Sequence, residues 1–476
     1  MYLSGRLPTP TVMDNILWNK ILAFDLDAPW SEYGFSVRLA NENYWTKNFT
    51  EKAILEYKKF MYLAATADRM VSPSEIIDKV WHQHLIFTKS YQEFCALLGK
   101  QIQHVPSTHN KEDEFKFKQA KERTRKLYTD PFGEQPVAIW EYTGMYESLE
   151  LPKARINVRT FIVLGILGFL SLIIPSYFIL KPLYIHINNP YFLIGLGGLF
   201  STILAGLYFY NRRYLSKMVR QFNSRSFLFD LHPSEVVYLQ SQKLADVLPG
   251  VVNELIIQGK VDVYSDNTLE RSENVSPASI EEYQVLEVLE PRRMTYYPAL
   301  LSKLTFRPVF SNTARCMDAF RKYFIKSKKF GRLFYFNFIL CAIPLMLAVT
   351  RFFTGLTHDK PVVFLVFALV IMVATTGKFL HRLTLVVCKE TIPNLYKNEI
   401  IPILHSAEDV QWQYFLFGTA ALEISFQPLV NYVERHNREG IFGSSGGGSC
   451  GSSCGNSCGS SCGSSCGGGC GGCGGD

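Results

Sequence analysis

Four long apolar runs constrain this chain more than any other feature. The first two, Phe161–Leu180 and Tyr191–Tyr210, are separated only by Lys181–Pro190, and a second pair occupies residues 333–350 and 361–380. A helix of about twenty residues, at roughly 1.5 Å per residue, crosses a hydrocarbon core of about 30 Å. The sequence therefore predicts a mostly α-helical, polytopic membrane protein with four spanning helices.

The spans divide the remaining chain into segments outside the bilayer. We expect a soluble helical domain over 1–155, transmembrane hairpins over 161–210 and 333–380, a helix-rich cytosolic domain over 211–332, a cytosolic segment over 381–442, and a tail over 443–476. The tail consists almost entirely of glycine, serine and cysteine, so it cannot bury a core and is predicted to be disordered.

The basic residues gather beside the spans. The net charge of +7 is compatible with a nucleic-acid partner, but position favours lipid. The clusters after the second span and before the third are Arg212, Arg213, Lys217, Arg220, Arg225, Arg321, Lys322, Lys326, Lys328, Lys329 and Arg332. Such residues are retained at the cytoplasmic face of a bilayer. We therefore expect cytoplasmic termini and membrane lipids, not nucleic acid, as partners; protein partners are expected for the soluble domains.

The middle segment contains a helix start at Leu231–Leu239, a second apolar-periodic helix over Leu244–Ile257 and a short strand ending at Val263. This order predicts a small winged-helix-like unit. Its second helix carries no Lys or Arg over 246–255 that could face phosphates. A protein-contact module is therefore favoured, and a membrane-tethered transcription regulator is the alternative.

A helix start precedes the histidines of the N-terminal domain. In Ser72-Pro73-Ser74-Glu75, Ser72 is predicted to cap the helix, with Pro73 at its first position and Glu75 completing a capping box. One apolar stripe is then predicted to run to Cys95 on a single amphipathic helix.

His84 is predicted to be a core residue. It lies on the apolar stripe with Trp81 and Tyr91, which form a structural motif with it. Residues two apart on a helix point about 200° away from each other. His82 and His84 therefore cannot bind the same ion.

The candidate site centres on Asp78 and His82, which are spaced four residues apart and so lie one turn apart. A loop histidine, His104 or His109, would complete a metal site for zinc or another soft ion. The alternative is a polar lock that joins the helix to that loop.

Several blocks in this region carry a family resemblance. They are V-W-H-Q-H-L-I-F-T-K-S-Y at Val80–Tyr91, with Glu56–Phe60, Cys95–Pro106 and Tyr128–Trp140. Over about residues 35–140 the chain resembles the glycine-rich domain-containing protein-like family of bacteria and plants, which implies no agreed activity. The remainder resembles, in layout, bacterial membrane proteins of unknown function with a Gly/Cys-rich tail. We therefore expect a multi-pass protein of the bacterial inner (cytoplasmic) membrane.

The tail carries seven cysteines: Cys450, Cys454, Cys458, Cys462, Cys466, Cys470 and Cys473. A reducing cytoplasm disfavours disulfides. A flexible Gly/Ser chain permits thiolates to wrap zinc or copper(I), and acylation is an alternative role.

No sequence motif identifies a reaction. The chain has no H-E-x-x-H and no phosphate-cradling glycine loop, and its spans contain no acidic residue that would mark a transport pathway. The sequence therefore predicts a membrane-anchored, non-enzymatic scaffold or sensor with cytosolic protein-binding domains. The alternative is a metal-dependent enzyme centred on Asp78, His82 and a loop histidine.

Overall fold

The computed structural model describes residues 14–104, 111–264, 266–289, 294–404 and 409–442, and over these the protein is mostly helical. Four of the described helices are long and apolar enough to cross a membrane, which confirms the prediction of four candidate spans. The described residues up to Val430 form one compact unit, and those from Asn431 form another.

The N-terminal part is built from packed helices. They are α1 Asn15–Ala23, α2 Phe35–Asn43, α3 Lys47–Thr66, α4 Glu75–Ile86, α5 Thr88–Leu98, α6 Lys111–Phe132 and α7 Val137–Trp140. Side-chain caps fix the start of several of them. Asp14 accepts hydrogen bonds from the amides of Ile16 and Leu17, and the Thr46 hydroxyl accepts one from Phe49. These contacts satisfy amide groups that have no partner inside the helix.

Two sequence predictions about α4 are wrong. Ser74, not Ser72, caps this helix, because its hydroxyl accepts the amide of Ile77 at 3.2 Å. The apolar stripe also does not follow one helix to Cys95, since α4 ends before Phe87 and α5 begins after it. Phe87, which joins the two helices, has a non-helical backbone with ψ 65°.

The first apolar hairpin consists of α8 (Val158–Ile185) and α9 (Asn189–Arg220). Both helices extend beyond the predicted spans, so most of the predicted loop at 181–190 is helical. The basic cluster that follows the second apolar run begins on the final turns of α9. Its first four members, from Arg212 to Arg220, are therefore held on a rigid helix rather than in a loop.

The middle segment has five helices and a small sheet among its described residues. The helices are α10 Pro233–Ser241, α11 Leu248–Ile257, α12 Ile280–Val288, α13 Tyr297–Thr305 and α14 Pro308–Ile325. The strands are β1 Val261–Val263, β2 Thr268–Arg271 and β3 Thr295–Tyr296. They pair antiparallel in the order β1-β2-β3, with Asp262 opposite Glu270 and Leu269 opposite Thr295. The winged-helix-like assignment stays a prediction.

The second apolar hairpin, formed by α15 and α16, and the described residues after it are mostly helical. The helices are α15 Lys328–Thr357, α16 Val363–Val386, α17 Ile392–Leu395, α18 Ile401–Leu404, α19 Val410–Phe417 and α20 Gln427–Phe442. Wide π-helical turns at Val387–Thr391 and Tyr396–Ile400 join α16 to α17 and α17 to α18. The sequence also predicts a strand over Leu383–Val387, but this segment is helical. Leu383 and Val387 are four residues apart, so they share one face of the helix, and both are buried.

The four long apolar helices make close contacts with one another. Gly165 of α8 lies against the ring of Phe338 on α15, where an added Cβ would approach the ring to 2.7 Å. Asn211 of α9 and Asn337 of α15 are both buried, and their amides exchange hydrogen bonds of 2.7 and 2.9 Å. This reciprocal pairing satisfies two polar groups that lipid cannot solvate.

One hydrophobic core joins the three segments that lie outside the four apolar helices. Tyr57 from the N-terminal part, Phe320 from the middle segment and Tyr396 from the helix after the fourth span all belong to it. Tyr396 also donates its hydroxyl to the carbonyl of Leu228 at 3.0 Å. The segments therefore pack against each other, and the N-terminal part is held close to the end of the spans.

Candidate metal centre

Asp78, His82 and His104 bring their side chains together at one surface. Asp78 Oδ2 lies 3.4 Å from His82 Nε2, one turn further along α4. The other oxygen, Oδ1, lies 2.8 Å from His104 Nε2. One ligand atom from each residue lies within 4.8 Å of the other two. Both imidazoles therefore face a single carboxylate.

The loop that carries His104 begins where α5 stops. Gly99 takes a left-handed conformation with φ +68°, which costs glycine little because it has no Cβ. The next residue, Lys100, extends its ammonium to the carbonyls of Ala64 and Ala67, at 3.1 and 3.4 Å. These carbonyls lie at the end of α3, where a cation is favoured. The start of the loop is thereby fixed to a second helix.

Two aromatic residues of the predicted motif position the rest of the loop. Trp81 Nε1 donates to the hydroxyl of Tyr91 at 3.1 Å. That hydroxyl in turn donates to the carbonyl of Ile102. The indole ring also packs edge-on against His104, with ring centroids 4.6 Å apart. Trp81 and Tyr91 are therefore positioning residues for His104.

The spacing of the three side chains suits a transition-metal ion. Zinc bound to His nitrogen and carboxylate oxygen at about 2.0–2.2 Å in tetrahedral geometry requires ligand atoms roughly 3.3 Å apart. The separation between Asp78 and His82 is close to this value, and that between Asp78 and His104 requires a small outward movement. Two imidazoles and one carboxylate also leave coordination positions free for another ligand.

A cleft of about 430 Å³ opens beside two members of the cluster. Asp78 and His104 line it, together with Glu75 and the apolar side chains of Phe60 and Trp81. The centre is also accessible, since the side chains of His82, Asp78 and His104 are 59%, 39% and 17% exposed. A small molecule in the cleft would therefore contact Asp78 and His104.

His84 lies in the core and does not join this cluster. Its Nδ1 is 2.8 Å from the hydroxyl of Tyr57, and its Nε2 is 3.1 Å from Ser90 Oγ. Burial lowers the pKa of His84 to about 4, so the ring is neutral at physiological pH. Its two ring nitrogens are both occupied by hydroxyl groups, which leaves neither for a metal.

His109 lies outside the described residues, and so do all seven cysteines of the tail. Of the two loop histidines proposed as ligands, only His104 therefore has structural support.

A second cluster of charged groups, which no sequence pattern indicates as a whole, lies between α3, α10 and α12. Lys47 Nζ is 2.8 Å from Glu281, and its backbone amide donates to Glu235 at 2.9 Å. The second oxygen of Glu235 accepts the amide of His232 at 2.8 Å, completing the cap of α10. Burial raises the pKa of Glu235 to about 7 and lowers that of His232 to about 3.

Of the contacts in this cluster, only the cap of α10 can be recognised from the local sequence. The residues His232-Pro233-Ser234-Glu235 indicate a helix start, whereas Lys47 is 188 residues away from Glu235. A cavity of about 90 Å³ adjoins the cluster, and one oxygen of Glu281 has no hydrogen-bond partner among the described residues. The cluster connects the N-terminal helices to the middle segment.

A family model supports a relationship for part of the chain. The model described as UCP032817-like matches residues 35–129, a range that includes Asp78, His82 and His104. This uncharacterised family replaces the glycine-rich domain-containing protein-like family, so the resemblance inferred from the sequence is wrong. The match gives no support to the second resemblance, which concerned residues outside this range. No curated protein and no solved structure matches the chain.

Proposed function

We propose that this chain is a membrane-anchored metalloprotein whose centre is formed by Asp78, His82 and His104. The observation that carries the proposal is the convergence of the three ligand atoms within 4.8 Å at the edge of a cleft. Catalytic zinc sites use three protein ligands in the same way and leave a position free for substrate. The open positions beside the cleft favour a metal-dependent enzyme over a purely structural metal site.

The solvent exposure of its side chains argues against a purely structural role for the cluster as a polar lock between helix and loop. Buried polar networks stabilise a fold when every member is satisfied and shielded from water. Here His82 is 59% exposed and Asp78 39% exposed, so water competes for both groups. The hydrogen bond between Asp78 and His104 connects α4 to the loop, but His82 adds little to that connection. The scaffold or sensor that the sequence predicts therefore loses the support of a purely structural histidine cluster.

We further propose that the protein resides in the bacterial inner membrane with both termini on the cytoplasmic side. Basic residues near the ends of all four apolar helices support this orientation. The metal centre would then lie in the cytoplasm.

Burial of α11 argues against the transcription-regulator alternative. Leu248, Val251, Val252 and Leu255 of this helix are all buried, and Gly250 packs against the ring of Tyr414. A recognition helix needs a free face that fits the major groove. Helix α11 has no such face and no basic residue.

Elemental analysis of the full-length protein tests the proposal. The protein is purified in detergent without chelator, its accessible thiols are alkylated, and zinc is counted per chain before and after equilibration with Zn²⁺. We expect about one zinc per chain in the wild type and loss of that zinc in His82→Ala and Asp78→Asn. His381→Ala is the matched control, because His381 is exposed and its imidazole makes no described contact.

Zinc that persists in both His82→Ala and Asp78→Asn would contradict the proposal, as would failure of the wild type to retain any zinc. Circular dichroism of each variant checks that the fold is intact. Because His82 and Asp78 are exposed on α4, their replacement should leave the helix in place.

A further inference from the structure

A polar groove of about 590 Å³ lies between the last turns of α9 and the helix that continues from α16. On the α9 side it is lined by Arg212, Arg213 and Lys217, which are all exposed. These residues follow an apolar run that ends at Tyr210. All three lie within about two helical turns of the apolar part, which corresponds to the depth of lipid headgroups.

The groove carries an excess of unpaired positive charge. Its two carboxylates are already neutralised, Glu399 by Arg220 at 2.5 Å and Glu390 by Arg382 at 2.8 Å. Within the described part of the chain, by contrast, no carboxylate pairs with any of three neighbouring cations: Arg212, Arg213 and Lys217. The opposite wall adds the amides of Asn394 and Asn398. An anion would find several donors here and no free carboxylate.

A smaller apolar pocket adjoins the groove on the side of the spans. It measures about 60 Å³ and shares Arg212 and Glu390 with the groove. Its walls include Tyr208, Phe379 and Val386. Tyr208 lies inside the predicted span 191–210, so the pocket extends toward the hydrocarbon. A polar groove continuous with an apolar pocket has the shape of a phospholipid, with its headgroup and the start of one acyl chain.

We propose that this groove binds an anionic phospholipid, whose phosphate is held by Arg212, Arg213 and Lys217. Arginine matches phosphate with two parallel N–H donors, and lysine adds a compact charge. The first carbons of an acyl chain lie against Tyr208 and Phe379. This site is independent of the metal centre, because none of its residues belongs to the cluster at Asp78.

Lipid binding to the full-length protein tests the inference. The protein is prepared in detergent, titrated with phosphatidylglycerol or phosphatidylcholine, and the bound lipid is counted by native mass spectrometry. We expect one phosphatidylglycerol to bind preferentially. Loss of three charges in Arg212→Gln/Arg213→Gln/Lys217→Gln should weaken it at least about tenfold, since each basic group near a membrane contributes measurably to anionic-lipid affinity.

The matched control removes three charges near the start of α15, away from the groove. In Lys328→Gln/Lys329→Gln/Arg332→Gln the net charge falls equally, and phosphatidylglycerol binding should stay within about twofold of the wild type. Equal weakening in both triple variants would show unspecific attraction to anionic lipid and would overturn the proposal. Equal binding of the two lipids to the wild type would overturn it as well.

A third variant separates a lipid from a free phosphate ester. Val386→Trp fills the apolar pocket and leaves the charges of the groove unchanged. It should weaken phosphatidylglycerol, while millimolar glycerol 3-phosphate fails to displace the lipid from the wild type. Displacement by glycerol 3-phosphate, with no effect of Val386→Trp, would assign the groove to a soluble phosphate ester and contradict the lipid proposal.

Discussion

Asp78 Oδ1 lies 2.8 Å from His104 Nε2, although 26 residues separate them in the chain. This contact brings the loop after α5 back onto α4, where His82 already faces the same carboxylate. Helix spacing alone therefore supplies two ligands, and the return of the loop supplies the third. The positions of Trp81 and Tyr91 explain why the loop returns to this point.

We predict that Tyr91→Phe weakens zinc binding about 10- to 100-fold without removing a ligand. The Tyr91 hydroxyl connects Trp81 to the carbonyl of Ile102, so its loss frees the loop that carries His104. The measurement is the zinc dissociation constant of the full-length protein by competition with a chelating dye. Tyr33→Phe is the control, because Tyr33 is 61% exposed and should bind zinc as the wild type does. Equal affinity in Tyr91→Phe would show that the loop needs no such support.

A buried carboxylate should be essential for the stability of the N-terminal helices. Glu56 is 3% exposed and accepts hydrogen bonds from Tyr128, Trp140 and Lys59 at 2.7–2.8 Å. We predict that Glu56→Ala destabilises the fold by about 3 kcal/mol or more, because three donors lose their partner. The melting temperature of the full-length protein in detergent measures this effect.

The control for Glu56→Ala is a carboxylate in an exposed ion pair. Glu42 pairs with Arg38 at 2.8 Å on the surface of α2, with both side chains more than 40% exposed. Removing such a pair costs little, so Glu42→Ala should melt within a degree or two of the wild type. Similar losses in the two variants would contradict the structural role assigned to Glu56.

His84 should make stability fall in acid. Burial lowers its pKa from 6.5 to about 4, so the folded chain keeps the ring neutral while the unfolded chain binds a proton below about pH 6.5. Stability is therefore lost as the pH falls from about 6.5 to 4, by up to roughly 3 kcal/mol from this group. Melting temperatures between pH 8 and 4 should fall more steeply in the wild type than in His84→Gln.

The comparison for His84→Gln is Leu85→Ala, which weakens the same helix without removing a titrating group. It should keep the acid dependence of the wild type at a lower melting temperature. If His84→Gln and Leu85→Ala showed the same acid dependence, the neutral buried ring would not be its cause.

Glu235 should have the opposite effect on stability near neutral pH. Burial raises its pKa from 4.5 to about 7, so the folded chain holds a proton that the unfolded chain releases. Stability therefore falls as the pH rises from about 4.5 to 7, by roughly 3 kcal/mol from this group. Glu235→Gln should flatten this part of the melting profile. An unchanged slope in the variant would show that Glu235 stays ionised in the fold.

Local pattern predicts those parts of the structure that depend on neighbours in the chain. The four apolar helices follow from run length, and the pairing of Asp78 with His82 follows from a spacing of four residues. The sequence offers two loop histidines, His104 and His109, and no local pattern indicates which of them packs against α4. The break at Phe87 has no glycine or proline to mark it.

Long-range contacts account for what the sequence did not reveal. Lys47 meets Glu235 and Glu281 because three helices from distant segments pack together, and no periodicity records such an encounter. The lipid groove likewise depends on how α9 packs against the helix after α16. Basic residues beside a span were visible in the sequence, whereas their shared groove required the fold.

X-ray absorption at the zinc edge tests the central claim most directly. Zinc–nitrogen and zinc–oxygen distances of about 2.0–2.2 Å differ from zinc–sulfur distances of about 2.3 Å, so the spectrum separates the histidine cluster from the tail thiols. For thiol-alkylated full-length protein loaded with one zinc, we predict only nitrogen and oxygen ligands, including two imidazoles, and no zinc edge in His82→Ala after unbound metal is removed. A spectrum dominated by sulfur, or one that His82→Ala leaves unchanged, would contradict a metal centre at Asp78, His82 and His104.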